Sequence, residues 1–332
     1  MASPLNRSAA AQAEDLANCG AIAEAYRLLD RASSSGDAMA AVTLAEWRLT
    51  GQRIRRDLAQ ARELYGRAAA LGLDDAEPIY IALLANGAGG NGRDWPGALA
   101  RLSERAARDP QARRQCDLLA NMALTGTGDP IALPEQEAVS TTPFIERRPG
   151  FLSADECEYL IALATPLLQE AVVIHPQTGQ PIRDPIRTAH SAAFPFVMED
   201  PVLHAINRRI AAATGTTYEQ GEPLQVLSYV PGQEYKLHSD ALPPGSNQRV
   251  ATFLVALNAD FSGGETEFPH AGLALRGQTG DALHFRNVDN AGRPDLAAWH
   301  AGLPVRQGRK FLLSKWLREN PLDLSGPPRR PF

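Results

Sequence analysis

The chain has 332 residues, which is long enough for two domains with hydrophobic cores of their own. Hydrophobic residues make up 44% of the chain and charged residues 21%, a composition typical of globular proteins. The formal net charge of -5 excludes an overall positive field of the kind that holds nucleic acid or an anionic membrane surface.

The cysteines and the N-terminal residues bear on the compartment. Cys19, Cys116 and Cys157 are odd in number and widely scattered, which is not the pattern of a disulfide framework or a zinc cluster. The first residues lack the basic and apolar regions of a signal peptide, and no stretch approaches the roughly 18 uninterrupted apolar residues of a membrane span. We therefore expect a cytoplasmic protein with free thiols and no membrane association.

Residues 1–125 carry an internal repeat rich in alanine, leucine and arginine. Units that begin at Gly36 and Asp74 align with a period of about 37 residues, which lies in the range of helical solenoids. Asp57 and Asp94 stand at equivalent positions, where each predicts an N-cap for the second helix of its unit. The region resembles Sel1-like repeats of the tetratricopeptide superfamily. Its role stays open between binding a protein partner and serving as a structural or dimerising platform.

The pattern changes after residue 125. Residues 126–142 are rich in turn formers and predict a linker, and residues 143–332 predict a second domain. In that domain we expect a helix over 151–168, with a capping box of Ser153 and Glu156, and a second helix over 201–215. Seven short strand-like runs between residues 224 and 317 then favour a sandwich or jelly roll. The fold class predicted is thus a two-domain α+β chain, helical repeats followed by a jelly roll (double-stranded β-helix) with flanking helices.

His238 and Asp240 stand two positions apart in "EYKLHSD", directly after a Gly-Gln turn. Side chains two apart on a strand point to the same face. An imidazole and a carboxylate therefore converge, as a metal site or an acid/base pair requires.

A second imidazole and a lysine extend this pair. His300 follows Asp240 by sixty positions, and Lys310 lies ten further on in "RKFLLSKW". Two histidines and one carboxylate form the facial triad typical of non-haem Fe(II), which leaves coordination positions open for a chelating cosubstrate and O2. A buried lysine suits a dicarboxylate cosubstrate, whereas a tetrahedral zinc hydrolase has no evident use for it.

Residues 143–320 resemble the prolyl 4-hydroxylase group of iron- and 2-oxoglutarate-dependent dioxygenases. The resemblance rests on motifs that occur in the same order as in that group: "FLSADECEYLI", "IRTAHSAAF", "GEPLQVLSYVPGQEYKLHSD", "RVATFLVALN", "GGETEFP", "GDALHF" and "HAGLPVRQGRKFLLSKW". It implies Fe(II), 2-oxoglutarate and O2 as cofactor and cosubstrates, with ascorbate as a candidate reductant. It also implies that His238, Asp240 and His300 bind the iron.

The same resemblance implies roles for six further residues. Lys310 would pair with the distal carboxylate of 2-oxoglutarate, Tyr229 would donate its hydroxyl to that group, and Thr252 is a weaker candidate for the same pocket. Three other residues would contact the substrate. Tyr235 and Trp316 would lie in the wall of the substrate channel, and Arg187 would lie on a loop that closes over the channel.

The substrate is the point on which the sequence leaves alternatives. The expected reaction is hydroxylation of a prolyl residue in a peptide or protein, because the repeats suit an extended polypeptide. Ala241 and Leu242 stand where prolyl hydroxylases often carry aromatic residues, and His190 stands where the group has a smaller one. A free amino or cyclic imino acid is therefore the alternative substrate. A non-catalytic binding module is the alternative of a different class.

Overall fold

The structure is a computed structural model that describes residues 7–170, 172–174, 181–183 and 186–322. Residues 323–332, the proline-rich end of the sequence, lie outside the described residues. Two compact units are distinguished. The first holds the described residues up to Asp129 together with Phe196–Ala205, and the second holds those of Pro130–Pro195 and Ile206–Leu322.

The first unit is helical, as the repeat predicts. Asp57 and Asp94 both act as N-caps, since their carboxylates accept hydrogen bonds from the backbone N–H groups of Gln60 and Gly97 at 3.0 Å. Alanine side chains with almost no exposure fill the core of the unit beside Leu44. The helices are α1 Ala9–Asn18, α2 Ile22–Ser34, α3 Ala38–Thr50, α4 Leu58–Ala70, α5 Ala76–Asn86, α6 Trp95–Ala106 and α7 Pro110–Asn121.

Two later helices match their predicted positions. Helix α8, Ala154–Ala164, begins with the predicted capping box, because Ser153 and Glu156 exchange side-chain-to-backbone hydrogen bonds. Helix α9 covers Pro201–Thr214 and ends just before Gly215, whose φ of +67° suits glycine. Among the described residues, no helix is long and apolar enough to cross a membrane.

Antiparallel strands make up most of the second unit. An eight-stranded sheet has the order β1-β2-β13-β9-β16-β7-β6-β3, and a four-stranded sheet has the order β12-β11-β14-β8. The strands are β1 Glu137–Thr141, β2 Phe144–Arg148, β3 Gln169–Glu170, β4 Val172–Ile174, β5 Pro181–Arg183, β6 His190–Phe194, β7 Leu224–Tyr229, β8 Tyr235–His238, β9 Arg249–Ala256, β10 Ser262–Gly263, β11 Thr266–Phe268, β12 Leu273–Leu275, β13 Ala282–Arg286, β14 His300–Gly302, β15 Val305–Gln307 and β16 Lys310–Arg318.

Apolar side chains from both sheets form one buried cluster, which includes Ile145 and Phe285 of the larger sheet and Phe268 of the smaller one. These antiparallel sheets are consistent with the expected jelly roll of 2-oxoglutarate oxygenases. The smaller sheet carries His238 and His300, Asp240 follows the end of β8 by two residues, and the larger sheet carries Lys310. The candidate site therefore lies between the two sheets.

The structure differs from the predicted domain limits in two places. Phe196–Ala205 lie inside the predicted second domain, residues 143–332, but group with the first unit. Strand β1 lies inside residues 126–142, which the turn-forming composition predicts to be a linker. β1 is an edge strand paired only with β2 among the described residues, and its side chains are half-buried or exposed. Since no side chain of β1 is fully buried, the strand leaves little hydrophobic pattern in the sequence.

Candidate iron and cosubstrate site

Strand pairing brings the two predicted histidine ligands together. His238 ends β8, His300 begins β14, and the two residues are direct cross-strand partners. Residues opposite each other in an antiparallel pair have Cβ atoms about 5 Å apart. The imidazole centroids accordingly lie 4.3 Å apart.

Asp240 completes the cluster. Its Oδ1 lies 3.6 Å from Nε2 of His238, and its Oδ2 lies 3.6 Å from Nε2 of His300. One ligand atom from each of the three residues lies within 4.8 Å of the others. At 3.6 Å, two donor atoms can share an ion at roughly 2.1 Å from each. All three side chains are buried.

Hydrogen bonds orient both imidazoles toward a shared point. Nδ1 of His238 lies 2.7 Å from the carbonyl oxygen of Lys236, and Nδ1 of His300 lies 3.1 Å from that of Ala298. Since a carbonyl only accepts, each Nδ1–H donates, and each Nε2 presents a lone pair. Nε2 of His238 is buried and has no hydrogen-bond partner among the described residues. A buried nitrogen acceptor without a hydrogen-bond partner is suited to bind a metal ion, so these residues fit Fe(II).

The protonation states also suit a metal. Burial acts to raise the pKa of Asp240, but the neighbouring His238, His300 and Thr252 lower it to a final value well below its ordinary range. Burial lowers the pKa of His300 to about 4, against the opposing charge of Asp240. At neutral pH the carboxylate is therefore ionised and the His300 imidazole neutral, as metal binding requires.

Lys310 lies in the same cavity as these ligands. The cavity has a volume of about 30 Å³ and is bordered by β7, β8, β9, β14 and β16. Its lining residues are Leu227, Tyr229, Tyr235, His238, Asp240, Leu254, Thr266, His300, Gly302, Lys310, Leu312, Ser314 and Trp316. The side chain of Lys310 is buried, and Nζ donates a hydrogen bond to the carbonyl oxygen of Gly264 at 2.7 Å. Burial lowers the pKa of Lys310 to about 8.

Tyr229 is adjacent to Lys310, and Thr252 is not. Tyr229 pairs with Lys310 across strands β7 and β16, and Nζ of Lys310 lies 5.4 Å from its ring centroid. Thr252 pairs instead with Trp316, six residues further along β16, or roughly 20 Å of strand. Its hydroxyl donates to Oδ2 of Asp240 at 2.6 Å. The structure thus places Thr252 beside the predicted iron ligand, and Thr266 lines the cavity at Lys310.

The three predicted substrate residues lie around the iron ligands. The ring of Tyr235 stacks on His238, with centroids 3.5 Å apart. Arg187 forms an isolated β-bridge with Tyr235, and its guanidinium carbon lies 5.4 Å from the tyrosine ring centroid. Trp316 lines the cavity itself. Their assignment to substrate stays a prediction.

Three polar residues that were not predicted from the sequence support the site, the buried Asn287 and Glu222 and the half-buried Arg249. Asn287 donates to the hydroxyl of Thr252 at 3.0 Å, so that it holds the partner of Asp240. Arg249 places its guanidinium carbon 3.9 Å from the ring centroid of Trp316, and Glu222 holds that guanidinium through two hydrogen bonds. No local sequence signal identifies these contacts, since Glu222 and Arg249 are 27 positions apart.

The match to a known protein family covers the residues of the candidate site. The sequence profile described as "2OG-Fe(II) oxygenase superfamily" matches residues 224–318. Prolyl 4-hydroxylase 1 of Arabidopsis thaliana is 37% identical over 202 residues, covering 55% of this chain and 71% of that protein. Probable prolyl 4-hydroxylase 3 of Arabidopsis thaliana is 35% identical over 192 residues, covering 51% of this chain and 67% of that protein.

Among solved structures, the crystal structure of a viral collagen prolyl hydroxylase from Paramecium Bursaria Chlorella virus-1 is 28% identical, with a TM-score of 0.44. The similarity covers 54% of this chain and 98% of that one.

Proposed function

Because the chain belongs to the 2OG-Fe(II) oxygenase superfamily, we propose that it hydroxylates prolyl residues within a peptide or protein. The observation that carries this proposal is the meeting of His238, Asp240 and His300 with a buried Lys310 in one cavity, in a chain 37% identical to a prolyl 4-hydroxylase over 202 residues. The chain is a 2-oxoglutarate-dependent dioxygenase that uses Fe(II), 2-oxoglutarate and O2.

The side chains of the cavity have different roles in the proposed reaction. His238, Asp240 and His300 would hold Fe(II), and the ammonium of Lys310 would pair with the distal carboxylate of 2-oxoglutarate, with Tyr229 beside it. When bound, Fe(II) supplies the chemistry in which 2-oxoglutarate is oxidatively decarboxylated to succinate and CO2 while one oxygen atom of O2 enters a substrate C–H bond. Apolar walls that include Leu227, Leu254 and Leu312 exclude water from the cavity.

The rim of the cavity supports a polypeptide substrate. Residues 186–188 run antiparallel to residues 234–236, with Lys236 N–H donating to Ile186 O at 2.8 Å and Thr188 N–H to Glu234 O at 3.1 Å. Ile186 and Leu237 in these paired segments are large apolar side chains that are 39% and 46% exposed. Exposed apolar side chains beside a catalytic cavity favour an extended, partly apolar ligand.

The loop that follows Asp240 is also built for contact. Leu242 donates its backbone N–H to Oε1 of Gln248 and accepts a hydrogen bond from Nε2 of Gln248 at 2.9 Å. Gln248 thereby fixes the loop that carries Ala241, where prolyl hydroxylases often have an aromatic residue.

Peptide assays test the proposal. The enzyme with Fe(II) and 2-oxoglutarate is expected to release succinate and to add one oxygen atom to a proline-containing peptide, with no oxygen added to the same peptide carrying alanine. Mass spectrometry locates the oxygen. His300→Ala should abolish turnover, whereas His270→Ala, at an exposed histidine outside the cavity, should retain it. Turnover with free proline and none with any peptide would refute the polypeptide assignment.

For the helical unit we propose Sel1-like repeats that bind other protein chains, either the substrate or a second copy of this chain. Met39 and Leu71 support a contact surface, because they are large apolar side chains 49% and 46% exposed on or next to α3 and α4. Light scattering of the wild type and of Met39→Glu/Leu71→Glu distinguishes the two partners. Loss of a dimer indicates self-association, and a raised KM for a protein substrate in an unchanged monomer indicates substrate binding.

A further inference from the structure

Lys310 stands between two cavities. The smaller one, of about 30 Å³, also contains the iron-binding side chains, and a larger one of about 300 Å³ lies on the other side. The residues common to both linings are Leu254, Thr266, Lys310 and Leu312. The function proposed above uses only the smaller cavity.

The larger cavity is mainly apolar and has the size of a ligand site. Its volume lies at the lower end of the range of small-molecule pockets. With roughly 30 Å³ for each water-sized volume, it holds on the order of ten non-hydrogen atoms. The apolar lining comes from five strands and the loop between β9 and β10, and includes Val139, Leu254, Ala256, Phe261, Leu275, Leu283 and Leu312.

The two carboxylates in the lining already have partners. Oε2 of Glu137 accepts two hydrogen bonds from Arg147, at 2.5 and 3.0 Å. Asp281 accepts from the backbone N–H groups of Gly150 and Gln278, each at 3.0 Å. Glu137 is therefore paired with a cation, and both oxygens of Asp281 are satisfied by backbone donors.

Two cations of the lining, the buried Lys310 and the exposed Arg276, donate hydrogen bonds to neutral groups. Nζ of Lys310 donates one hydrogen bond, to the carbonyl oxygen of Gly264. Among the described residues it has no second acceptor, so two of its three N–H donors remain available. Nη2 of Arg276 donates to the carbonyls of Ala259 and Phe261, and its guanidinium carbon lies 4.6 Å from the Phe261 ring centroid. In the part of the chain that the structure describes, no carboxylate forms an ion pair with Nζ of Lys310, although the charge of Glu265 acts to raise the pKa of Lys310. A buried ammonium with donors to spare favours an anionic ligand over a neutral one.

We propose that the larger cavity binds an aliphatic monocarboxylate of about eight carbons. Its carboxylate pairs with Lys310, and its chain lies among the apolar side chains of β1, β9, β12 and β13. Lys310 can pair with one such carboxylate or with the distal carboxylate of 2-oxoglutarate, so the two ligands exclude each other. The competition with 2-oxoglutarate rests on the role of Lys310 in the proposed function. Binding of the monocarboxylate itself does not depend on that role. Acids of this class are therefore competitive inhibitors with respect to 2-oxoglutarate.

Calorimetry on the full-length, Fe(II)-loaded protein without O2 tests the proposal with butanoate, hexanoate, octanoate and 1-octanol. Affinity should rise by about fourfold for each methylene from butanoate to octanoate, the ratio that about 0.8 kcal/mol per buried methylene corresponds to. Octanoate should bind at least about tenfold more tightly than 1-octanol, because a charge-assisted hydrogen bond is lost with the alcohol. Saturating 2-oxoglutarate should suppress octanoate binding.

Variants that fill the cavity give the matched comparison. Ala256 lines only the larger cavity, and Ala256→Leu should weaken octanoate at least about tenfold while 2-oxoglutarate affinity stays within about twofold. Val139→Phe, on β1, fills the same space and serves if Ala256→Leu does not fold, as circular dichroism would reveal. Ala274→Leu is the control, since Ala274 is exposed on β12 beside Leu275.

Three results would overturn the proposal: equal affinity for octanoate and 1-octanol, affinity that does not rise with chain length, or octanoate binding unchanged in the folded filling variants. Simultaneous binding of octanoate and 2-oxoglutarate would overturn the shared use of Lys310. Peptide hydroxylation, measured separately, decides the proposed function whichever way the calorimetry turns out.

Discussion

The aromatic ring of Tyr235 stacks on the imidazole of His238, with 3.5 Å between the ring centroids and 16° between the ring planes. His238 is thus held from two sides, by this ring and by the carbonyl of Lys236 at its Nδ1. Because Arg187 lies over the same tyrosine, a substrate that contacts Arg187 is two side chains away from an iron ligand. Tyr235 is therefore placed to couple substrate contact to the orientation of the metal site.

Replacing Tyr235 should reveal this support. Tyr235→Ala removes a ring contact of about 0.5–1.5 kcal/mol, which should weaken Fe(II) binding by roughly two- to tenfold. Tyr235→Phe keeps the ring and should keep the affinity. Anaerobic titration of Fe(II) measures the effect. Equal Fe(II) affinity in the alanine and phenylalanine variants would show that the stack does not orient His238.

The hydroxyl of Thr252 should matter for metal affinity rather than for 2-oxoglutarate. It donates to Oδ2 of Asp240 at 2.6 Å, and loss of such a partner of a metal ligand typically weakens metal binding about 10- to 100-fold. We expect that loss in Thr252→Val, with recovery in Thr252→Ser, which restores a hydroxyl. Fe(II) titration provides the measurement. A raised KM for 2-oxoglutarate with unchanged Fe(II) affinity would place Thr252 in the cosubstrate pocket instead.

Lys310→Ala should raise the KM for 2-oxoglutarate and leave iron bound. A hydrogen bond to a charged group contributes about 1.5–3 kcal/mol, so an increase of roughly 10- to 100-fold is expected. Lys236→Ala is the matched control, because Lys236 is exposed on β8 next to the iron ligand His238. The assignment of Lys310 fails if both variants retain the wild-type KM.

Binding of 2-oxoglutarate should weaken as the pH rises through about 8. Burial lowers the pKa of Lys310 to about 8, so the protein without cosubstrate loses the ammonium above that pH. The anionic cosubstrate binds the protonated form, and the apparent Kd should therefore increase about tenfold per pH unit well above pH 8. Calorimetry from pH 7 to 9.5 measures this slope. In Lys310→Ala the slope assigned to this group should disappear.

Glu222 should be important for stability as well as for the substrate wall. Its side chain is 6% exposed and bonds both Arg249 and Arg318, whose side chains are 21% and 13% exposed. Removing one partner of a buried ion pair costs about 3–5 kcal/mol, and the partial exposure of the arginines puts Glu222→Ala near about 3 kcal/mol of unfolding free energy.

Urea denaturation measures this cost. Glu137→Ala provides the comparison, since the side chains of Glu137 and its partner Arg147 are 50% and 46% exposed. A surface pair of this kind contributes at most about 1 kcal/mol. Similar costs for the two variants would mean that the Glu222 network does not stabilise the fold.

The sequence predicted those features that depend on neighbours along the chain. Asp57, Asp94 and Ser153 cap their helices because a cap is a contact over two or three residues. The long strands β7, β9 and β16 were predicted for a similar reason, since each is a run rich in apolar residues. Strand β14, with the three residues His300–Gly302, carries too little apolar pattern to be recognised.

Residue types determined which atoms could serve the reaction, and only cross-strand register decided where those atoms lie. The sixty residues between Asp240 and His300 in the sequence do not indicate how far apart the two side chains lie in space. The cross-strand pairing of His300 with His238 brings them together. Thr252 shows the same limit, because its strand was predicted correctly but its position opposite Trp316, far from Lys310, was not. Hydrogen bonding between strands sets register, and it joins residues remote along the chain, so the tertiary structure had to decide it.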